Sequence, residues 1–335
     1  MTLDPAVAAV RLAVRRWLGP PDTATVLVAC SGGADSLALL AATVFEARRR
    51  PLRVVGAVVD HGLQDGSADH TARVVAQMAA LGVDETVSAR VTVDAPGLGP
   101  EAGAREARYD VLDQMARHFG ARQVLLGHTL DDQAETVLLG LARGSGGRSM
   151  AGMRLGFQRD DDVDGPHFGR PLLGVRREQT EAACRAEGIE WWTDPHNVDP
   201  RFARSRVRQT VLPVLERELG PGISEALART ADQLQADSDY LDTAAEEWLR
   251  DVYDADRGFV VWGLEPLAPA IRNRVLRLAA LAAGSPPSEL TAGHVGALAE
   301  QVLNTTHLPR QIQLPGHVTA IREGDVLRFV RSPLA

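Results

Sequence analysis

The chain has 335 residues, 45% of them hydrophobic, so it can bury a substantial core and form two domains. Its net charge of −8 excludes a uniformly basic nucleic-acid coat but not a local basic surface. The two cysteines, Cys30 and Cys184, form no Cys-x-x-Cys pair, which argues against a disulfide framework, a cysteine-rich zinc site and redox chemistry.

The sequence predicts a protein that is not embedded in or exported across a membrane. It has no run of about 18 uninterrupted apolar residues, and its N-terminus carries Arg11, Arg15 and Arg16 at helical spacing instead of a signal-peptide apolar block. We therefore expect a cytoplasmic protein without a membrane partner.

Up to about residue 200, short apolar runs alternate with longer stretches that have helical spacing. The runs, which predict strands, are residues 25–30, 52–59, 86–93 and 123–127. The stretches between them, which predict helices, are residues 36–49, 68–81 and 101–119. This alternation predicts βαβ units and hence an α/β fold with a doubly wound parallel sheet, whose ligands bind beyond the carboxyl ends of the strands.

The pattern changes after about residue 215. We predict helices at residues 223–253, 268–283 and 291–303, a short strand at 258–262, and short strands separated by turns within 311–330. The predicted organisation is therefore a catalytic domain of residues 1–216 and a smaller, mostly helical domain of residues 217–335 with a strand-rich tail.

The strongest motif is the hexad Ser31-Gly32-Gly33-Ala34-Asp35-Ser36, which directly follows a predicted strand and precedes a predicted helix. Glycines let the backbone approach a ligand, while hydroxyls and the amides of a helix N-terminus donate hydrogen bonds to an anion. The hexad therefore predicts a phosphate-binding loop, although it lacks the lysine of a P-loop. The structural alternative is a glycine-rich turn with Asp35 or Ser36 as the helix N-cap.

These six residues resemble the SGGxDS loop of the PP-loop ATP pyrophosphatases. The resemblance implies an adenine nucleotide α-hydrolase-like fold and ATP as a substrate that is cleaved between its α and β phosphates. The family includes GMP, asparagine and argininosuccinate synthetases, tRNA thiolases and tRNA(Ile)-lysidine synthases, so further motifs must choose among them.

After the second predicted strand, Asp60-His61-Gly62-Leu63 and Ser67 resemble the lysidine synthase segment VDHGLRxxS, with Gln64 in place of Arg. At the end of a strand, Asp60 and His61 would line the adenosine side of the cleft. The alternative is an ordinary βα turn in which both side chains bond to the backbone.

Residues 101–109 resemble the family motif EAxARxxRY. Arg105 and Arg108 are three positions apart and share a helix face, which suits them to phosphate or to the tRNA backbone. The alternative is a solvated face on which they pair with Glu101 and Glu106.

Residues 127–136 read GHTLDDQAET, a long match to the tRNA-modifying PP-loop enzymes, and continue into a lysidine synthase-like LxRGSG segment that differs at residues 148–150. A helix starting near Leu130 would present His128 and the carboxylates of Asp131, Asp132 and Glu135 together at the cleft. Oxygen ligands of this kind suit Mg²⁺. The alternative is a helix start capped by Thr129, with acids placed favourably against the helix dipole.

The last motifs resemble the family's RPLL, DxSN and LPxLE segments, here residues 170–173, 194–197 and 212–216. They depart from the family pattern at His196 and Ser205. A basic strip defined by Arg201, Arg204, Arg206 and Arg208 suits the phosphates of ATP or tRNA, and its alternative is a solvated basic helix end.

The resemblance covers roughly residues 22–216. It implies a ligase that adenylates the wobble cytidine of tRNA(Ile) with a CAU anticodon, using ATP and Mg²⁺, and then joins this base to L-lysine. We expect the domain of residues 217–335 to recognise the tRNA. It implies catalytic roles for Asp35 and Asp132, which would also hold Mg²⁺, and metal or lysine binding by Asp131 and Glu135. We expect Asp35 to be an exposed loop carboxylate.

Two other functions remain open at this point. A PP-loop tRNA thiolase needs sulfur-handling cysteines or an iron–sulfur cluster, which the two cysteines do not suggest. A non-catalytic, nucleotide-sensing RNA-binding module is the second alternative. The sequence leaves the oligomeric state open, a homodimer included.

Overall fold

The computed structural model describes residues 3–18, 24–60, 62, 66–91, 100–144, 146–159, 164–194, 199–252, 258–304 and 310–331, without the side chains of 100–102, 104, 251, 252 and 310. By packing, the chain divides into two compact units. The first comprises Met1–Gly144 and Ser149–Ala231, and the second comprises Ser145–Arg148 and Asp232–Ala335. The domain boundary predicted between residues 216 and 217 stays a prediction, because this division follows packing alone.

A six-stranded sheet forms the centre of the first unit. In chain order its strands are β1 Ala24–Ala29, β2 Leu52–Asp60, β3 Glu85–Arg90, β4 Ala121–Leu125, β5 Gly156–Gln158 and β6 His167–Gly169. Across the sheet they follow the order β3-β2-β1-β4-β6-β5, with parallel pairing throughout except between β5 and β6. The predicted parallel α/β sheet is confirmed. The antiparallel edge was not predicted, because strands of three residues are too short to give a readable pattern.

Helices pack on both faces of this sheet. The helices from residue 5 to residue 186 are α1 Pro5–Leu18, α2 Ala34–Ala47, α3 Ser67–Leu81, α4 Pro100–His118, α5 Leu130–Arg143, α6 Gly147–Met150 and α7 Arg177–Ala186. Of these, α1, α2, α3, α4 and α7 share a core with the strands. Val26 and Val28 of β1 join a core with α1, α2, α3 and α7, whereas Leu27 joins a core with α4. Both faces of β1 are therefore buried, which explains why this strand is a continuous apolar run.

The strand order reverses between β1 and β4, so the loops that leave these two strands diverge and open a crevice. The hexad follows β1, and the segment that begins at Leu126 follows β4. A Cβ atom at Gly127 would lie 3.0 Å from the backbone of Ser36, so glycine allows the second segment to approach the hexad.

The first unit ends in helices. A continuous helical stretch contains α8 Ala203–Arg206, a π-helical turn at Val207–Val211 and α9 Leu212–Leu219, and it is followed by the long helix α10 Ile223–Val252. The predicted long helix is confirmed over its described length. Packing assigns α10 to the first unit up to Ala231 and to the second unit from Asp232.

The second unit combines helices with an antiparallel sheet. Its further elements are β7 Phe259–Val260, α11 Val261–Leu264, α12 Pro269–Ala282, α13 Ala292–Leu303, β8 Arg310–Leu314, β9 Val318–Glu323 and β10 Val326–Arg331, and its sheet order is β7-β10-β9-β8. Phe259, Leu276 and Leu298 lie at the centre of its core. The strand predicted at residues 258–262 is shorter than expected, since α11 begins at Val261. Among the described residues, no helix combines the length and apolar character needed to cross a bilayer.

Candidate functional site

The hexad forms the turn between β1 and α2. Gly32 has a φ of +82°, a left-handed conformation that favours glycine. The Ser36 hydroxyl donates to the Gly33 carbonyl over 2.9 Å and accepts from the Ser31 amide over 3.1 Å, which holds the turn together. The N-cap of α2 is Gly33, not Asp35 or Ser36. The amides of the first turn therefore keep their capacity to bind an anion.

Five of the sequence motifs meet at one cavity of about 810 Å³. Residues that line it include the hexad members Ser31, Gly33, Asp35 and Ser36, then Asp60, His128 and Asp132, and the cations Arg108, Arg177, Arg204 and Arg208. Asp60 also accepts a hydrogen bond of 2.8 Å from the Gly62 amide, as expected of an ordinary βα turn. The predicted site residue His61 lies outside the described residues. The sheet topology has thus brought together groups far apart in sequence.

One guanidinium joins three carboxylates at the start of α5 and α2. Arg177 lies 2.8 Å from Asp132, 3.3 Å from Asp35 and 3.4 Å from Glu135. Arg208 reaches Glu135 at 2.7 Å and Asp132 at 3.1 Å. We call these five residues the acid–arginine cluster. All of them except Glu135 line the cavity, as does the neighbouring Arg204, whose Nε lies 3.7 Å from Glu135.

The carboxylates of this cluster differ in proton affinity. Burial raises the pKa of Asp35 to about 6, even though Arg177 and a hydrogen bond from Thr180 act in the opposite direction. For Asp132, burial would also raise the pKa, but Arg177 and other partners outweigh burial and lower it. Burial lowers the pKa of His128, so its imidazole is neutral near pH 7. The side chain of Asp35 is only 22% exposed. The expectation of an exposed loop carboxylate is wrong, because the first turn of α2 packs against α7.

Asp132 has two roles in the structure. Its Oδ2 accepts hydrogen bonds from the amide and hydroxyl of Thr129 over 2.9 and 3.0 Å, which caps α5. Its Oδ1 faces Arg177 and Arg208. The predicted helix cap and the predicted site residue therefore coexist, because a carboxylate has two oxygens.

Asp131 and Glu135 lie behind the cavity wall. Asp131 accepts a 2.7 Å hydrogen bond from the backbone amide of Arg177 and lies 3.6 Å from Arg176. Glu135 is fully buried beneath guanidinium groups. The expectation that the helix presents its acids together at the cleft thus holds for Asp132 and not for these two, since the arginines enclose them.

The two arginines of α4 have different surroundings. Arg105 is exposed, whereas Arg108 lines the cavity and has its pKa lowered by burial. The Nε of Arg108 and the Nδ1 of His128 are enclosed and have no hydrogen-bond partner among the described residues. Glu106 pairs with Arg159 at 3.4 Å. The solvated-face alternative fits Arg105, while Arg108 offers an unsatisfied donor near the cavity.

The basic strip divides into an inner and an outer pair. Arg204 and Arg208 line the cavity and contact Glu135. Arg201 is 80% exposed and pairs with Asp199 at 2.6 Å, and Arg206 donates to the carbonyls of Pro200 and Arg201. Ser205 is buried, and His196 lies outside the described residues.

Four residues of the site were not singled out from the sequence. Thr180 donates a short hydrogen bond to Asp35, and Arg177 organises the acid–arginine cluster. His70 contacts the Ser31 carbonyl at 3.0 Å and packs on Trp192, whose amide donates to the Gly32 carbonyl over 2.9 Å. Arg177 had one available signal, the pair Arg176-Arg177 shortly after the RPLL motif.

Comparison with known proteins agrees with this geometry. The sequence profile of the PP-loop domain matches residues 8–215, and that of the TilS substrate binding domain matches residues 261–329. The tRNA(Ile)-lysidine synthase of Streptomyces coelicolor is 46% identical, over 96% of this chain and 97% of that protein. The enzyme of the same name from Thermobifida fusca is 50% identical, over 93% of this chain and 94% of that protein.

A solved structure supports the fold. The U34-tRNA thiolase NcsA from Methanococcus maripaludis superposes with a TM-score of 0.58 at 18% identity, over 68% of this chain and 79% of that chain. At this identity the likeness concerns the fold alone. The relatives, in contrast, match the chain over nearly its whole length and across both profiles. The chain therefore belongs to the tRNA(Ile)-lysidine synthase family of PP-loop proteins.

Proposed function

We propose that this chain acts in the cytoplasm as a ligase that joins L-lysine to the wobble cytidine of tRNA(Ile) with a CAU anticodon, which protects the fidelity of translation at that codon. The observation that carries the proposal is the position of Asp35 and Asp132 beside the SGGADS loop, in a cavity lined by Arg108, Arg204 and Arg208. The family membership supplies the reaction. In it, the 2-oxo oxygen of cytidine attacks the α-phosphorus of ATP, pyrophosphate leaves, and the ε-amine of lysine then displaces AMP.

The hexad would hold the phosphates of ATP. The uncapped start of α2 and the hydroxyls of Ser31 and Ser36 are donors suited to an anion. Asp60 would lie on the adenosine side, because β2 ends next to β1. The same role for His61 stays a prediction from the sequence alone. Arg204 and Arg208 are the cavity-facing pair of the basic strip, and guanidinium groups match phosphate oxygens.

Asp35 and Asp132 fit a Mg²⁺ ion. Both line the cavity, and Asp132 is near enough to raise the pKa of Asp35. Mg²⁺ usually takes one or two carboxylates together with nucleotide phosphates and water, so two aspartates suffice. Bound there, the ion would neutralise negative charge that develops on the phosphates. No group of three or more potential metal-ligating residues occurs among the described residues.

The incoming lysine amine must lose protons. An alkylammonium has a pKa of about 10.4, so a carboxylate near the reacting atoms is needed as acceptor. Asp35, with a pKa raised to about 6, is suited to this task when no cation is bound to it. Asp131 and Glu135, which were expected to bind metal or lysine, instead contact Arg176, Arg177 and Arg208, and we propose that they position these arginines. Arg105 and Arg108 would position tRNA and ATP.

The thiolase alternative fits less well. Cys30 and Cys184 are both buried, and burial raises the pKa of both thiols, that of Cys184 to about 12. A thiol of such high pKa is a poor nucleophile near pH 7.

The decisive experiment is incubation of the protein with ATP, Mg²⁺, labelled lysine and either tRNA(Ile) or tRNA(Met), both with a CAU anticodon. We expect lysine to enter tRNA(Ile) alone, with one AMP and one pyrophosphate released per lysine. Release of AMP without lysine transfer would point to another adenylating enzyme, and no AMP at all would favour the nucleotide-sensing module.

A further inference from the structure

Two hydrogen bonds from outside the hexad hold the backbone carbonyls of its turn. The Nε2 atom of His70, on α3, lies 3.0 Å from the Ser31 carbonyl oxygen. A carbonyl oxygen only accepts, so this ring nitrogen carries the hydrogen that is donated. The backbone amide of Trp192, in the segment after α7, donates to the Gly32 carbonyl over 2.9 Å. Both His70 and Trp192 also line the cavity.

Packing fixes the position of His70. Its ring lies against the ring of Trp192, with 4.1 Å between the ring centroids and 42° between the planes. A Cβ atom at Gly32 would lie 2.7 Å from Cγ2 of Val74 and 3.0 Å from Cε1 of His70, so α3 packs directly on the turn. Only glycine leaves room for this approach. The imidazole is therefore held between the turn and an aromatic ring.

The segment that carries Trp192 is itself anchored. The side chain of Gln77, on α3, donates to the Glu190 carbonyl over 2.8 Å. Ile189 and Trp191 pack against the hydrophobic core that contains β1. The helix α3 and this segment therefore form one support, which contacts the hexad at two successive carbonyls.

The orientation of these carbonyls decides where the amides of the turn point. A trans peptide unit is planar, and its N–H is directed opposite to its C=O. The amide of Gly32 therefore points away from His70, and the amide of Gly33 points away from the Trp192 backbone. Successive amides form a concave anion-binding site when one of the residues has a left-handed conformation, as Gly32 has.

We propose that His70 is a positioning residue for ATP, an inference that rests on the proposed function. By donating to the Ser31 carbonyl, His70 keeps the Ser31–Gly32 peptide unit in the orientation that presents the Gly32 amide to a nucleotide phosphate. The Trp192 ring keeps the imidazole in place, and the Trp192 amide holds the next peptide unit in the same way. Without the His70 donor, the Ser31–Gly32 unit can rotate and turn its carbonyl oxygen towards the phosphates, which repels them.

The test compares the affinities for ATP and for adenosine, measured by calorimetry with Mg²⁺ and without tRNA, so that no adenylation occurs. Adenosine lacks phosphates and therefore does not report contacts with the phosphate-binding loop. His70→Phe keeps an aromatic ring beside Trp192 and removes the donor, whereas His70→Gln retains a side-chain N–H. His118→Phe is the matched control, because His118 is exposed at the end of α4. Circular dichroism verifies that each variant is folded.

We expect His70→Phe to weaken ATP binding about three- to tenfold, the loss typical of one hydrogen bond, and His70→Gln to stay within about twofold of the wild type. Adenosine binding should be unchanged in both variants, and His118→Phe should match the wild type for both ligands. If His70→Phe binds ATP as tightly as the wild type, the proposal is overturned. Equal losses for ATP and adenosine would also overturn it, because the ring would then contact the base or only support the fold.

A double-mutant cycle tests the part assigned to the Trp192 ring. Trp192→Ala removes this ring and keeps the backbone amide. If the ring acts through His70, Trp192→Ala should weaken ATP binding much less in the His70→Phe background than in the wild type. Additive losses would contradict this role of the ring. If His70→Phe shows the ATP-specific loss but the wild-type protein transfers no lysine to tRNA(Ile), the proposed function alone is refuted.

Discussion

The guanidinium of Arg177 lies 2.8 Å from the carboxylate of Asp132, although the two residues are 45 positions apart in the chain. The same side chain reaches Asp35 at 3.3 Å, so one arginine sets the orientation of both proposed catalytic acids. Without this cation, the carboxylates of Asp35, Asp132 and Glu135 would repel one another in an enclosed site.

The first prediction follows from this contact. Arg177→Gln should lower the rate of AMP release with tRNA(Ile) at least about 100-fold, because the acids lose their common partner and their pKa values rise. Arg185→Gln is the control, since Arg185 lies on the same helix and forms an exposed pair with Glu181. Initial rates at saturating ATP measure the effect. Similar rates for the two variants would show that Arg177 does not organise the site.

The second prediction concerns pH and Asp35. The pKa of Asp35 is about 6 in the folded protein and 3.8 as a reference. Between these two pH values the Asp35 carboxyl is therefore mostly protonated in the folded state and mostly ionised in the unfolded state. Its stabilising effect is fully present below pH 3.8 and is lost as the pH rises through about 6. As the pH falls from 7.5 to about 4, the free energy of unfolding of the wild-type protein should therefore rise by up to roughly 3 kcal/mol relative to that of Asp35→Asn. Urea unfolding with a chelator and no ATP provides the measurement. If the difference in free energy of unfolding between the two proteins does not vary with pH, the raised pKa of Asp35 is contradicted.

The third prediction separates the two pairs of the basic strip. Arg201→Gln with Arg206→Gln should weaken tRNA binding and reduce its log–log salt slope by up to about 0.9 per contact, because both side chains are exposed. Arg204→Gln or Arg208→Gln should raise the ATP concentration needed for AMP release and leave the salt slope unchanged, because these side chains line the cavity. A salt series of tRNA affinity and an ATP titration measure the two effects. If all variants match the wild type in both assays, the strip is only a solvated helix face.

The fourth prediction concerns the close contact between Gly140 of α5 and Ser149 of α6. A Cβ atom at Gly140 would overlap the Ser149 carbonyl oxygen, a contact that requires the backbone to move. Gly140→Ala should therefore lower the free energy of unfolding of the first unit by about 2 kcal/mol or more. Gly174→Ala is the control, because a Cβ atom at Gly174 would meet no described atom within 4 Å and the φ of this residue is not positive. The control should change stability by less than about 0.5 kcal/mol in urea unfolding. If Gly140→Ala is as stable as Gly174→Ala, the backbone at Ser149 can move without cost.

The sequence by itself determined the elements and the motifs. Long periodic stretches such as α10, and continuous apolar runs such as β1, have a local pattern that fixes their type. The SGGADS hexad and the GHTLDDQAET segment identify a PP-loop protein because each combines uncommon residues at fixed spacing. The antiparallel edge strand β5 was beyond the reach of such patterns, since a segment of three residues carries no readable period. The strand predicted at residues 258–262 exists, but its length of two residues could not be predicted.

Only the tertiary structure decided which of the predicted residues meet. Arg201 and Arg204 are indistinguishable in a run of arginines, yet Arg201 lies in the turn before α8 and faces solvent, whereas Arg204 lies within α8 and faces Glu135. Arg177 had no motif of its own, and its importance comes from the packing of α7 beside α2 and α5, which encloses three acids around one cation. Burial likewise gives Asp35 its raised pKa, a property that depends on the surrounding fold and not on its place in the hexad.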